Sequence, residues 1–440
     1  MRILLSATVL CAALAVTTVA AAQNVIRVPA DFPTIQAGIS AASPGDTVLV
    51  APGTYSGTNN RNLSFYGKAV TLRSEAGAAA TVIDCGAVAR CFLFNSGEGN
   101  DTVVDGFTIQ NGRADDIGDG GGCIRCNSSS PTIRNSVIRN CISTNIGGGM
   151  LAGVPSKPII DNCEFLYNGS YSHGGGIYGQ AVLTNTIFYG NEALLIGSSW
   201  ADGGAAHLDG TSEIESCRFI GNNAVRGGAL WLGGDKTLVN CLFVGNGALI
   251  PGSGPRGGAL YVASGHVNVF FGTFSGNDAL LDGYSVYTTE SGTAHFVHSI
   301  LWDSPSSGIA SATPGSVTAY YSNIRTTPGS TYPGDGNLNA NPLFVSRGLG
   351  SRDDGYYLSH VAAGQGATSP CVDAGVPAAI PSVWCNVGYG SGVCLDSTTT
   401  RTDGVPDGGV TDLGFHYYDP PLFADGFETG TLEMWSTTVP

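Results

Sequence analysis

Charge is scarce in this chain of 440 residues: Asp, Glu, Lys and Arg together make up only 12%. A surface so poor in charge must be mostly uncharged polar groups and glycine, of which there are 65. Basic residues are the scarcer sign, 19 against 34 acidic, and the formal charge of −15 argues against nucleic acid and anionic membranes as partners. Beyond the N-terminus no apolar run is long enough to span a bilayer as a helix. A second CxxC and any βαβ alternation are also missing, so the Cys123 to Cys126 spacing does not read as zinc or redox chemistry.

At the N-terminus Arg2 precedes an apolar run that ends in small residues around Ala20 and Ala22. This pattern predicts a secretory signal over residues 1–22, the alternative being a short membrane anchor. Of the 12 cysteines, Cys11 lies in that leader, so an odd number remains and at least one thiol stays unpaired within a monomer. The spacings Cys85 to Cys91, Cys123 to Cys126, and Cys385 to Cys394 with Cys371 nearby suit local bridges.

Self-similarity is the most informative feature. GGGCI starts at Gly120, GGGML at Gly147, GGGIY at Gly174, GGAAH at Gly203, GGALW at Gly227 and GGALY at Gly257, with a decayed copy at Gly283. Successive starts differ by 27, 27, 29, 24, 30 and 26 residues, a period that means a solenoid. Between these motifs runs a second one, as in DNCEFLYN from Asp161 and ESCRFIGN from Glu215, with the period-2 pattern of a short strand.

Aligned by copy, Ile138, Phe165, Phe188, Phe219, Phe243 and Phe274 fall in one column. One coil cannot bury its own apolar face, so this column predicts an interior stack. Cys163, Thr186, Cys217 and Cys241, two residues earlier, are expected to face inward as small core residues, with Cys217 and Cys241 as free thiols. Asn168, Asn191, Asn222, Asn246 and Asn277 follow each Phe by three residues. Asn tolerates the left-handed backbone of a corner, and stacked Asn side chains can bond one another.

Parallel strands stacked at about 4.8 Å per coil with right-handed connections give an all-β, right-handed parallel β-helix, a monomeric rod on the order of 50 Å long. The rod is expected over residues 46–325, opened by TVLVAPGTY. Residues 23–45 would form an N-terminal cap with a short helix around Ile35 and Ile39, because bare ends expose unpaired strand edges. Residues 326–420 would be an irregular C-terminal extension and 421–440 a tail.

The stretch VPADFPTIQAGISAASPGDTVLVAPGTY, followed by the GGGIY and NCxFxxN units, resembles the pectate-lyase-like superfamily of β-helix proteins, particularly bacterial members with polymorphic-outer-membrane-protein-type repeats. The resemblance implies the fold; for activity it spans lyases, hydrolases, esterases and adhesins. The segments TTPGSTYPGDGNLNANPLF, SPCVDAG and RTDGVPDGGVTDLGFHYYDPP resemble a terminal extension that closes the last coil, and FADGFETGTLEMWS is similar to a segment at the ends of secreted bacterial proteins. The superfamily's lyases hold calcium on stacked carboxylates with an Arg base, and its polygalacturonases use three Asp. Neither set is evident here, and SHGGG at His173 lacks the accompanying Asn-x-Asp. Asp115, Asp116 and Asp119 in RADDIGDGGG are the calcium candidates, against a plain solvated loop; Asp403, Asp407 and Asp412 form a second acidic run. No other cofactor is expected.

Reading the repeat by column, Asp119, Ile146, His173, Asp202, Arg226, Arg256 and Asp282 precede the glycines, placing a line of charges on one corner. Tyr178, His207, Trp231, Tyr261 and Tyr287 alternate with inward residues and so face outward. Aromatic faces beside guanidinium groups suit acidic sugar rings. His173, Tyr178, Asp202, His207, Arg226, Trp231, Arg256 and Tyr261 are therefore the candidate glycan-binding residues, against a structural ladder with a surface ion-pair line. The expected function is a secreted or cell-surface, non-catalytic β-helix that presents a lateral face to polysaccharide or another surface. The alternatives are a polysaccharide lyase or glycoside hydrolase with an atypical site, and a structural spacer.

Overall fold

A computed structural model describes residues 23–115, 120–194, 200–304, 308–346, 355–375, 398–406 and 410–418. Among these, most coils give one short strand in turn to each of three parallel sheets, and the chain is a right-handed parallel β-helix. The first sheet stacks twelve strands from Val25–Val28 to Val317–Tyr320, the second eleven from Gly53–Ser56 to Asn323–Ile324, and the third nine from Phe92–Phe94 to Ile309–Ser311. Stacking starts one strand earlier than expected, because Val25–Val28 pairs with Thr47–Val50.

Three-residue strands with one inward side chain explain the repeat. Phe165, Phe188, Phe219, Phe243 and Phe274 are fully buried, and their rings stack from coil to coil at 5.0, 5.2, 4.8 and 4.5 Å between centroids. Ile177, Leu230 and Leu260 fill the same core from the third sheet. The glycine motif turns into that sheet with positive φ, for example 64° at Gly227, where a Cβ would strike the Leu230 carbonyl.

The asparagine column is a buried ladder. The backbone N–H of Asn191 donates to Asn222 Oδ1 at 3.0 Å and that of Asn222 to Asn246 Oδ1 at 3.1 Å, and the side-chain amides repeat the pattern until Asp303 ends it below Asn277. The left-handed corner is not at these residues but just before them, at Tyr167, Gly190, Gly221, Gly245 and Gly276. A second left-handed corner, between the first and second sheets, falls on Asn135, Asn162, Asn185, Ser216 and Asn240. The inward Cys163, Thr186, Cys217 and Cys241 follow that corner, each turning its thiol or hydroxyl to the carbonyl two residues back, at 3.3, 2.8, 3.3 and 3.4 Å.

Several expectations change. Cys85 does bridge Cys91, but Cys123 bridges Cys141, leaving Cys126 a buried free thiol. The Cys123–Cys141 bond joins the third-sheet strand to the corner where later coils carry Asn168 and Asn191. Cys385 and Cys394 lie outside the described residues, as do the leader expected over 1–22 and the tail expected over 421–440, while Cys371 is buried and free. The first glycine copy slips by one residue, since Ile124 pairs with Met150 and Gly120 bridges Ile146. Gly120, not Asp119, therefore holds that column.

The N-terminal end is covered by the helix Ile35–Ala41, capped by Thr34, whose Oγ1 accepts from the Ala37 N–H at 3.3 Å. Ile35 and Ile39 are buried, and a Cβ on Gly38 would come 2.9 Å from Val28. At the other end only part of the C-terminal extension closes the last coil: Leu338 bonds Ser322 and Ile324, and Tyr332 packs on the core. The later segments lie along the outer flank of the second sheet, where Phe415 and Tyr417 pack with Leu242 and Tyr357. There the Phe415 N–H donates to Thr273 Oγ1 at 2.8 Å and the His416 N–H to Asn240 Oδ1 at 2.7 Å.

Candidate functional site

The third sheet places the aromatic column on its outer face, in register: Tyr178 pairs with His207, His207 with Trp231, Trp231 with Tyr261 and Tyr261 with Tyr287. The ring faces are largely used up by one another. His207 stacks on Trp231 at 3.9 Å and on Tyr178 at 4.7 Å, and Tyr261 stacks on Tyr287 at 5.4 Å. His207 and Tyr261 are only 6% and 8% exposed.

The charged corner runs beside this ladder. Arg226 donates two hydrogen bonds of 2.6 Å to the oxygens of Asp202, and its guanidinium lies 4.1 Å from the Trp200 ring centre and 5.1 Å from that of Tyr261. Burial pushes the Asp202 carboxyl up, but His173 and Arg226 outweigh it and hold the group below the usual range. His173 Nδ1 stands 3.3 Å from Asp202 Oδ2 without an aligned hydrogen bond. Burial, aided by the neighbouring charge of His173, lowers the His207 pKa, while Asp209, 3.3 Å from Nε2, pulls the other way. Arg256 pairs with Asp282 at 3.4 Å and lies over Tyr287 at 5.1 Å. The eight candidate residues are thus brought together, but as a ladder with a satisfied ion pair, and few aromatic faces are left for a sugar ring.

Among the described residues the acidic loops bring no group of three carboxylates together. Asp115 is exposed and pairs with Arg113 at 2.7 Å, and Asp116 and Asp119 lie outside the described residues. In the second run Asp403 pairs with Arg401, Asp412 is buried and accepts from the Asp373 N–H at 2.7 Å, and Asp407 lies outside the described residues.

A groove of about 510 Å³ opens on the outer face of the first sheet and crosses five coils. Its two outward columns are Thr132, Ile159, Val182, Glu213 and Thr237, and Arg134, Asp161, Thr184, Glu215 and Val239. Glu213 meets Lys157 at 2.7 Å, and Arg134 pairs with Asp105 at 2.9 Å. Asp161 Oδ1 accepts from Thr184 Oγ1 at 2.6 Å and from Asn185 Nδ2 at 3.2 Å. Sequence reasoning missed this site. Its only signal is the alternation in IID, VLT and EIE, whose outer residues form a column only once the coil register is known.

The fold and groove define a right-handed parallel β-helix with an amphipathic lateral face. Residues 122–323 match the family model described as the right-handed β-helix region. No curated protein matches. Among solved structures the chain is similar to the crystal structure of pectate lyase Pel9A, at 12% identity over 89% of this chain and 97% of that one, with a TM-score of 0.39. Among the described residues no helix is long and apolar enough to cross a membrane.

Proposed function

We propose that this protein is a secreted β-helix that binds an extended, neutral polysaccharide along the first-sheet groove without cutting it. The observation that carries the reading is the groove itself, in which the apolar side chains of Ile159 and Val182 lie next to the carboxylates of Asp161, Glu213 and Glu215. Sugar chains present apolar ring faces and hydroxyl donors together, and such a face answers both. The net charge of −15 and the three carboxylates disfavour polyanionic chains. The Glu213 side chain is 40% exposed and held 2.7 Å from Lys157, which presents it as a fixed acceptor for sugar hydroxyls. Support for secretion comes from the signal pattern expected over residues 1–22.

The test is binding to a panel of neutral and acidic polysaccharides, with product analysis in the same tubes with and without calcium. Wild type should be retained by a neutral chain and release no new ends. Val182→Arg, which fills the groove from an outward position, should bind at least ~10-fold more weakly while staying folded, a loss of ~1.4 kcal/mol. Equal binding by the two proteins sinks the groove assignment. Chain cleavage would favour the lyase or hydrolase reading instead.

A further inference from the structure

We propose that His173, Asp202 and His207 form a binding site for a divalent transition-metal ion of the zinc or copper type on the outer side of the third sheet. Each residue offers one ligand atom, and the three atoms lie within 4.8 Å of one another. Tetrahedral ligands about 2.1 Å from a metal stand ~3.4 Å apart, so the trio has to draw in by at most ~1.4 Å around an ion. Two imidazoles and one carboxylate suit zinc or copper and leave a fourth position for water.

The surroundings favour a cation at this point. Asp202 and His207 are buried at 2% and 6% exposure, and the His173 side chain is 25% exposed, which leaves an entry path from solvent. His207 Nδ1 is buried and makes no hydrogen bond, and His173 Nδ1 stands 3.3 Å from Asp202 Oδ2 without an aligned one. Asp209 Oδ2, 3.3 Å from His207 Nε2, fixes the ring as carboxylates outside metal centres fix ligating imidazoles. The stacked Tyr178 and Trp231 rings hold the same imidazole from both sides. Within the two columns this trio occurs once: the preceding coil carries Ile146 and Leu151, and the next two carry Arg226 with Trp231 and Arg256 with Tyr261.

Arg226 is the competing cation, since it already donates to both oxygens of Asp202. Each carboxylate oxygen has two lone pairs, so the carboxylate keeps acceptor capacity for an ion while Arg226 lowers the affinity. The site is independent of the polysaccharide groove and stands or falls separately from it.

The experiment is a calorimetric titration of the metal-free chain with zinc and with copper(II), following tryptophan emission during the copper titration. Wild type should bind one equivalent, and copper should quench emission because Trp231 lies 3.9 Å from the His207 ring. His173→Gln and Asp202→Asn should each weaken binding at least ~10-fold with an unchanged circular dichroism spectrum, and Arg226→Gln should tighten it. His266→Gln, an exposed histidine hydrogen-bonded to Thr293, should change nothing. If Asp202→Asn unfolds, the part-exposed His173→Gln carries the test alone. Absence of stoichiometric binding by wild type, or equal binding by wild type and His173→Gln, overturns the site.

Discussion

Asn222 Oδ1 accepts from both the backbone and the side-chain amide of Asn191, and its own amide donates to Asn246 Oδ1 and to the Phe188 carbonyl. Asn222→Ala therefore strands several buried polar groups at ~1–3 kcal/mol each. Equilibrium unfolding should show a loss of ~3 kcal/mol or more, comparable to the ~3–5 kcal/mol expected when Phe219→Ala empties its place in the ring stack. A midpoint unmoved by either change would contradict the inward assignment. Cys217 and Cys241 are fully buried, and burial raises the first thiol to about 12 and the second well above its usual value. Both should resist alkylation in the native protein and react only after unfolding, as mass spectrometry of labelled peptides would report. The phenylalanine and cysteine columns were legible because one repeated side chain needs only the period. The asparagine column was legible as a ladder but not as a corner, since nothing in the order of residues says whether Asn168 or Tyr167 takes the positive φ. Cys141 as the partner of Cys123 was hidden for the same reason: it stands in the column that later coils fill with asparagine.

Strand alternation gave the side of the sheet on which Tyr178, His207, Trp231 and Tyr261 sit, but not what they touch. In a parallel stack the neighbour along the column is nearer than any ligand, and four adjacent aromatic positions stack on themselves before they stack on sugar. This separates the third sheet from the first. Trp231→Ala should destabilise the protein, through loss of the His207 stack, yet leave polysaccharide retention unchanged, whereas Val182→Arg should do the reverse. Pull-down measurements on both variants beside their unfolding midpoints would decide it; loss of retention in Trp231→Ala would return the glycan to the third-sheet ridge. The groove was not readable in advance because coil lengths vary, and the slip that pairs Ile124 with Met150 shows how a one-residue error moves a column. Asp161 and Glu215 share a column only through Thr184 in the coil between them, a relation that no sequence spacing announces.

On the scale of the whole molecule, the C-terminal segments join to the flank of the rod at a corner that contains His298. The Gly414 N–H donates to the His298 carbonyl at 2.8 Å, and the His298 ring packs 5.1 Å from Phe271, which in turn meets His416 edge-on at 5.3 Å. Burial, reinforced by the nearby His416, lowers the His298 pKa from 6.5 to about 4. The unfolded chain therefore binds a proton that the folded chain refuses between these two values. Stability from this group is fully present above about pH 6.5, falls as the pH drops toward 4, and levels off below it. At ~1.4 kcal/mol per pH unit the whole effect is on the order of 3 kcal/mol. His207, lowered in the same direction by burial, adds to the slope, while buried Asp303, raised by burial, opposes it. The difference between wild type and His298→Gln isolates the one group. Denaturant unfolding at closely spaced pH values from 7 down to 4 should give a flatter profile for the variant. Residues 410–417 should lose protease resistance in wild type before the coils do, because Gly414, Phe415 and His416 make their contacts on this corner. A His298→Gln profile parallel to that of wild type would mean that the C-terminal segments stay docked without regard to the charge on this imidazole.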